Sequence, residues 1–115
     1  MGRRRKRKPS KAKKGYRNRS RSRCYNDPVY AQWRDSVRER DGRCCQWPGC
    51  GSRRKIQVHH IKRWSKYPGL RFVVANGITL CERCHTAIKG KEVLYEAFFM
   101  KILEYQMIKK LKGDL

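Results

Sequence analysis

Val58-His59-His60-Ile61, then Asn76, then Leu80-Cys81-Glu82-Arg83-Cys84-His85: these 28 residues hold every histidine of the chain and decide how it is read. Apolar residues at Ile56 to Ile61 and at Ile78 to Leu80 predict two short strands. The loop between them contains Tyr67-Pro68-Gly69 and Asn76-Gly77, which favour turns. Neighbours in a strand point to opposite faces, so His59 and His60 must do different work, one able to bind a metal while the other faces a water. Histidine is both the usual borderline metal ligand and the side chain that takes a proton near neutral pH. A helix is expected from Cys81 or Glu82 to about Lys89. His85, on its first turn, could complete a metal site opposite His59. An ion held by so few protein ligands keeps positions open for phosphate oxygens.

The cysteines point to a second, structural metal. Cys45-Gln46-Trp47-Pro48-Gly49-Cys50 is a tight knuckle, and Cys81 and Cys84 form a Cys-x-x-Cys pair. Two such pairs supply four thiolates for a closed tetrahedral zinc site. Cys44 could replace Cys45, but the run from Cys45 makes the better loop; Cys24 has no partner. Cys81 to His85 also matches a haem-attachment pattern. That reading is set aside, because the chain shows neither an export signal nor core enough to wrap a porphyrin.

The 115 residues carry a formal net charge of +22. A polyanionic partner is therefore favoured, and nucleic acid over membrane, since no apolar run approaches the ~20 residues that span a bilayer. No apolar secretory segment follows the basic N-terminus, so a reducing, cytoplasmic location is expected. Residues 1–23 hold thirteen Lys or Arg and no acid. Self-repulsion predicts a disordered arm there. Residues 24–115 are read as one small domain, with its core motif at about 43–90. Asn26-Asp27-Pro28 signals a helix start, Val29, Trp33 and Val37 mark its inner face, and Gly42 its end. After Gly90-Lys91, the apolar positions Val93, Leu94, Ala97, Phe98, Leu103 and Ile108 favour a longer C-terminal helix whose Lys residues face water.

With these residues in place, the chain resembles the HNH endonuclease family, in its subclass with two zinc-binding cysteine pairs. The resemblance covers roughly residues 30 to 100. It rests on the His-His-Ile triplet, Asn76 nine residues before His85, and the closing Leu-Cys-x-x-Cys-His segment. It implies an α+β fold, a small ββα-metal finger with a structural four-cysteine zinc site, a preceding helix and a C-terminal helix. It further implies that His60 is the general base, that His59 and His85 ligate a catalytic divalent ion, and that Asn76 fixes the loop orienting His60 or binds the ion itself. Hydrolysis of a DNA phosphodiester to a 5′ phosphate and a 3′ hydroxyl would follow. Where some relatives carry a further histidine four residues after His85, this chain has Lys89, which leaves Mg²⁺, Mn²⁺, Ni²⁺ or Zn²⁺ open as the catalytic ion. Compact nucleases of this type belong to phages and mobile elements, which implies a bacterial host cytoplasm and leaves a packaging or other protein partner unknown.

Arg53, Arg54, Lys55, Lys62, Arg63, Lys66, Arg71 and Lys89 flank the motif and are expected to contact DNA phosphates. Trp33 is expected in the core. For Trp64 and Tyr67 the choice between core and base stacking stays open, and Phe72 is a further candidate for stacking. The rival reading is a non-catalytic zinc-ribbon nucleic-acid-binding protein that works through its basic arm.

Overall fold

Two five-residue strands, β1 (Ile56–His60) and β2 (Gly77–Cys81), form the centre of the molecule. They pair antiparallel, with Ile56 opposite Cys81 and His60 opposite Gly77. A lone two-stranded sheet is marginal in water, so its stability must come from what covers its faces. The computed structural model describes residues 26–113. The expected basic arm and Cys24 lie outside the described residues.

Helix α1 (Pro28–Arg40) covers one face. Asp27 caps it, its carboxylate accepting from the Val29 N–H at 2.8 Å, and Pro28 occupies the first turn, where its missing N–H costs nothing. The buried stripe is Tyr30, Trp33 and Val37, joined by Trp64 and partly by Val58. Val29, expected on that stripe, is instead 52% exposed. Spacings of three and four both lead to Trp33 on a helix, and the larger ring of Tyr30 takes the inner place, 5.4 Å from Trp64 and 6.1 Å from Phe72.

The other face is covered by the cysteine knuckle, by the short helix α2 (Glu82–Ala87), and by α3 (Glu96–Leu111). Ile61, Ile78, Leu80, Ile88 and Phe99 make this core, with Tyr95, Ile102 and Leu103 packed against it. The expected C-terminal helix is present, but few of the apolar positions that suggested it are buried. A 3-10 turn at Glu92–Tyr95 precedes α3, and the fully buried residue is Phe99. Val93, Leu94, Ala97, Phe98 and Ile108 are exposed, while Leu103 is partly buried. Apolar residues lie all round this helix, so periodicity alone cannot choose the face that packs.

Two polar clamps hold the layers in register. Arg40 donates to the carbonyls of Val74 at 2.9 Å and Gly77 at 2.7 Å, tying the end of α1 to the turn before β2 and to the first residue of that strand. Buried Asp41 accepts from Arg40, from the Thr79 N–H at 2.9 Å and from Gln106 of α3 at 3.2 Å. Among the described residues no helix is long and apolar enough to cross a membrane.

Candidate active site

Local backbone chemistry shapes the cysteine knuckle. Pro48 and Gly49 occupy the centre of a tight turn closed by Cys50 N–H donating to the Trp47 carbonyl at 2.9 Å. Gly49 has φ +84°, a conformation that side chains resist. The turn places Cys45 and Cys50 opposite Cys81 and Cys84. The four sulfurs lie within 4.8 Å of one another. Cys50 and Cys81 are 3.9 Å apart, close to the ~3.8 Å that a tetrahedral ion with Zn–S bonds near 2.3 Å imposes, and far beyond a disulfide. Cys44 stands apart, its thiol against the Asp41 carbonyl at 3.5 Å.

Cys81 also caps α2, taking the Cys84 N–H on its sulfur at 3.5 Å, and that contact leads in lowering its pKa to about 7. Burial instead pushes the Cys45 and Cys84 thiols up. Four such thiols cannot all ionise together without a cation between them, which is the chemistry of a zinc site. The four cysteines could thus hold a metal such as zinc.

The histidines separate as strand geometry requires. His60 turns toward α1, where its ring stacks on Trp33 with centroids 4.1 Å apart and planes 15° from parallel. Trp64 meets it edge-on at 5.3 Å. Its Nε2 is 2.9 Å from the Arg71 carbonyl. A carbonyl oxygen can only accept, so Nε2 carries the proton and Nδ1 is the basic nitrogen. His59 turns to the opposite side, 5.4 Å from Phe99 and 5.4 Å from His85 by ring centroids. At the end of β1 both faces open into one cavity of about 410 Å³, lined by His59, His60, Arg63, Trp64, His85 and Glu92 among others. The imidazoles of His59 and His85, side by side in a polar cavity, are a borderline donor pair that suits a divalent transition ion.

Asn76 is buried and does not line that cavity. Its Oδ1 accepts from the Lys62 N–H at 2.7 Å, and its Nδ2 donates to the carbonyls of Lys62 at 3.2 Å and Leu70 at 3.1 Å. One amide therefore pins both ends of the loop whose far side supplies the Arg71 carbonyl to His60. The alternative role as an ion ligand has no geometric support, since the side-chain oxygen is spent on backbone.

The basic residues divide by what they touch. Arg63 borders the cavity, and Arg54, Lys66 and Lys89 are exposed. Lys62 pairs with Glu96 at 3.0 Å, which raises its pKa, and Lys55 pairs with Glu82 at 3.5 Å. Arg53 donates to the Gly42 carbonyl at 2.9 Å. Arg71 sits over the Trp64 ring at 4.3 Å and donates to the Trp64 carbonyl at 2.8 Å, so its guanidinium helps hold the loop. Of the undecided aromatics, Trp64 is core at 7% exposure, whereas Tyr67 and Phe72 are each 40% exposed.

Sequence reading missed Trp33 as the plate behind His60, Arg71 as the source of its carbonyl partner, and Glu92 as a wall of the cavity. Glu92 lies beyond Gly90 in a segment with no motif, and only the chain reversal there brings it back. Its carboxyl is held below the usual range by its own backbone N–H first, then by that of Gly90 and by the nearby imidazoles of His59 and His85.

Residues 43–91 match the family model described as HNH endonuclease. No curated protein and no solved structure matches the chain. The matched segment spans the knuckle, both strands, the loop between them and α2, which is the α+β unit just described. That segment of the protein is similar to the HNH endonuclease family.

Proposed function

We propose that the protein is a metal-dependent endonuclease that hydrolyses phosphodiester bonds of DNA, with His60 as general base and one divalent ion on His59 and His85. The observation that carries this reading is the opening of His59, His60 and His85 into one polar cavity. Stacking on Trp33 and the bond to Arg71 would equally suit a buried structural histidine. The convergence on two further imidazoles favours chemistry over packing.

Each residue then has a physical task. Trp33 fixes the plane of the His60 ring, and the Arg71 carbonyl fixes its tautomer, so that Nδ1 can take a proton from a water. Asn76 is a positioning residue that holds the loop presenting that carbonyl. Arg63, beside the cavity, and exposed Arg54, Lys66 and Lys89 supply positive charge for neighbouring phosphates. When bound, the ion supplies charge to stabilise the phosphate and the departing 3′ oxygen. The cysteine site, filled by zinc, fastens the knuckle to α2 and so sets the position of His85.

Relaxation of supercoiled plasmid by the zinc-replete chain with Mg²⁺, Mn²⁺ or Ni²⁺ tests the reading. His60→Ala, and His60→Asn as a variant that retains a polar side chain, should slow nicking by at least about 10²-fold while zinc content and DNA retention are kept. Wild-type nicking rates in both folded variants would refute the role of His60. DNA binding with no metal-dependent nicking by the unaltered chain would favour the non-catalytic zinc-ribbon alternative.

A further inference from the structure

We propose that Glu92 is a third protein ligand of the divalent ion assigned to His59 and His85, an inference that rests on the nuclease reading above. Two imidazoles alone offer a neutral donor set. The chain provides a carboxylate at the same cavity by a route the motif does not announce. After α2 it reverses at Gly90, whose φ is +82°, with Lys91 N–H donating to the Ile88 carbonyl at 2.8 Å. Glu92 then opens the 3-10 turn Glu92–Tyr95 and lines the cavity together with His59 and His85.

The turn is anchored where it needs to be. Tyr95 stacks on Phe99 at 6.0 Å, and Phe99 in turn backs the His59 ring at 5.4 Å. Lys89, by contrast, is exposed and forms no part of the cavity wall. Among the described residues the four sulfurs are the one donor set drawn within 4.8 Å, so the histidine–glutamate set is looser. The Glu92 side chain has rotatable bonds enough to turn its carboxylate toward an ion in that cavity. A carboxylate beside two imidazoles changes which ions are favoured: it adds a hard, charged oxygen and so improves the site for Mn²⁺ more than for Ni²⁺, which imidazole already suits.

The test is calorimetric titration of Mn²⁺ and of Ni²⁺ into the zinc-replete full chain, its E92Q variant and its H59A variant, with near-ultraviolet circular dichroism and zinc content checked first. Neither ion displaces zinc readily from four thiolates, so the titration reads the second site. E92Q keeps the size of the side chain and removes its charge. It should weaken Mn²⁺ binding by at least about tenfold and Ni²⁺ binding by less, whereas H59A should weaken both. Unchanged Mn²⁺ affinity in E92Q, or an equal loss for the two ions, overturns the assignment of Glu92 and leaves the nuclease reading standing. A wild-type chain that takes up neither ion beyond its zinc overturns the assignment as well, and one that in addition nicks no plasmid with Mg²⁺, Mn²⁺ or Ni²⁺ overturns that reading itself.

Discussion

Gly77→Ala is a one-methyl perturbation that should be felt at both the fold and the site. A Cβ at Gly77 would lie 2.7 Å from Trp33 Cζ2, 2.7 Å from Val37 Cγ2 and 3.3 Å from Trp33 Cε2. Carbon atoms in good contact sit about 3.5–4.0 Å apart, so two contacts are roughly 1 Å too short. The backbone is not the obstacle, since φ −127° and ψ 152° are ordinary extended values. Nor can Trp33 step aside freely: its Nε1 donates to the Val73 carbonyl at 2.8 Å and its ring is stacked on His60. Overpacking of this kind costs about 1–3 kcal/mol, against which the lower chain entropy of unfolded alanine returns about 0.4–1 kcal/mol. The expected net loss is about 1–2 kcal/mol. For a domain of this size that is a fall in Tm on the order of 5–15 °C.

Urea unfolding at fixed zinc, followed by tryptophan fluorescence, measures the loss, and the His60 ring resonances in a proton NMR spectrum report its displacement. Gly69→Ala is the control, because a Cβ there meets nothing within 4 Å, and it should lose no stability, gaining up to about 1 kcal/mol from the same chain-entropy effect. A Gly77→Ala protein as stable as wild type, with unshifted His60 resonances, would show that Trp33 is not held as tightly as its two contacts imply.

Other outcomes follow from the same geometry. Asp41→Ala leaves Arg40 and the buried Thr79 N–H without their carboxylate and should cost about 3–5 kcal/mol by urea unfolding, a larger loss than any exposed-acid substitution such as Glu39→Ala. Chelation of zinc, or Cys84→Ser, should abolish the cooperative thermal transition, because the four sulfurs bring the knuckle to the start of α2; an unaltered transition in chelator would show that the site is not structural. Neutralising Arg63 and Lys66 together should reduce the slope of log binding constant against log salt by about 2, with both charges meeting phosphates, and an unchanged slope would remove them from the DNA surface.

Much of the architecture could be read from residues close together in sequence. Asp27-Pro28 set the start of α1, the Pro48-Gly49 turn brought Cys45 to Cys50, and the three-residue step from Cys81 to Cys84 wrapped a helix N-terminus around a sulfur. Alternation along β1 sent His59 and His60 to opposite sides. In each case the geometry follows from dihedral preferences or strand pleat over a few residues, and no distant contact is needed to enforce it. Cys45 over Cys44 was legible for the same reason, since only one of the two closes the knuckle at the right distance.

Tertiary structure decided what depends on which surfaces meet. Tyr30 displaced Val29 from the inner stripe because a larger ring was available to Trp64 and Phe72, and Phe99 alone was fully buried on a helix apolar all round. Asn76 spends its amide on the backbone of Lys62 and Leu70, and Lys62 and Arg71 are occupied by Glu96 and Trp64. Glu92 reaches the histidine cavity only because the chain reverses at Gly90. Local preferences act through covalent geometry and are written into neighbouring residues; partner choice is a competition among side chains far apart in sequence, settled by volume, hydrogen-bond satisfaction and charge once the layers have packed.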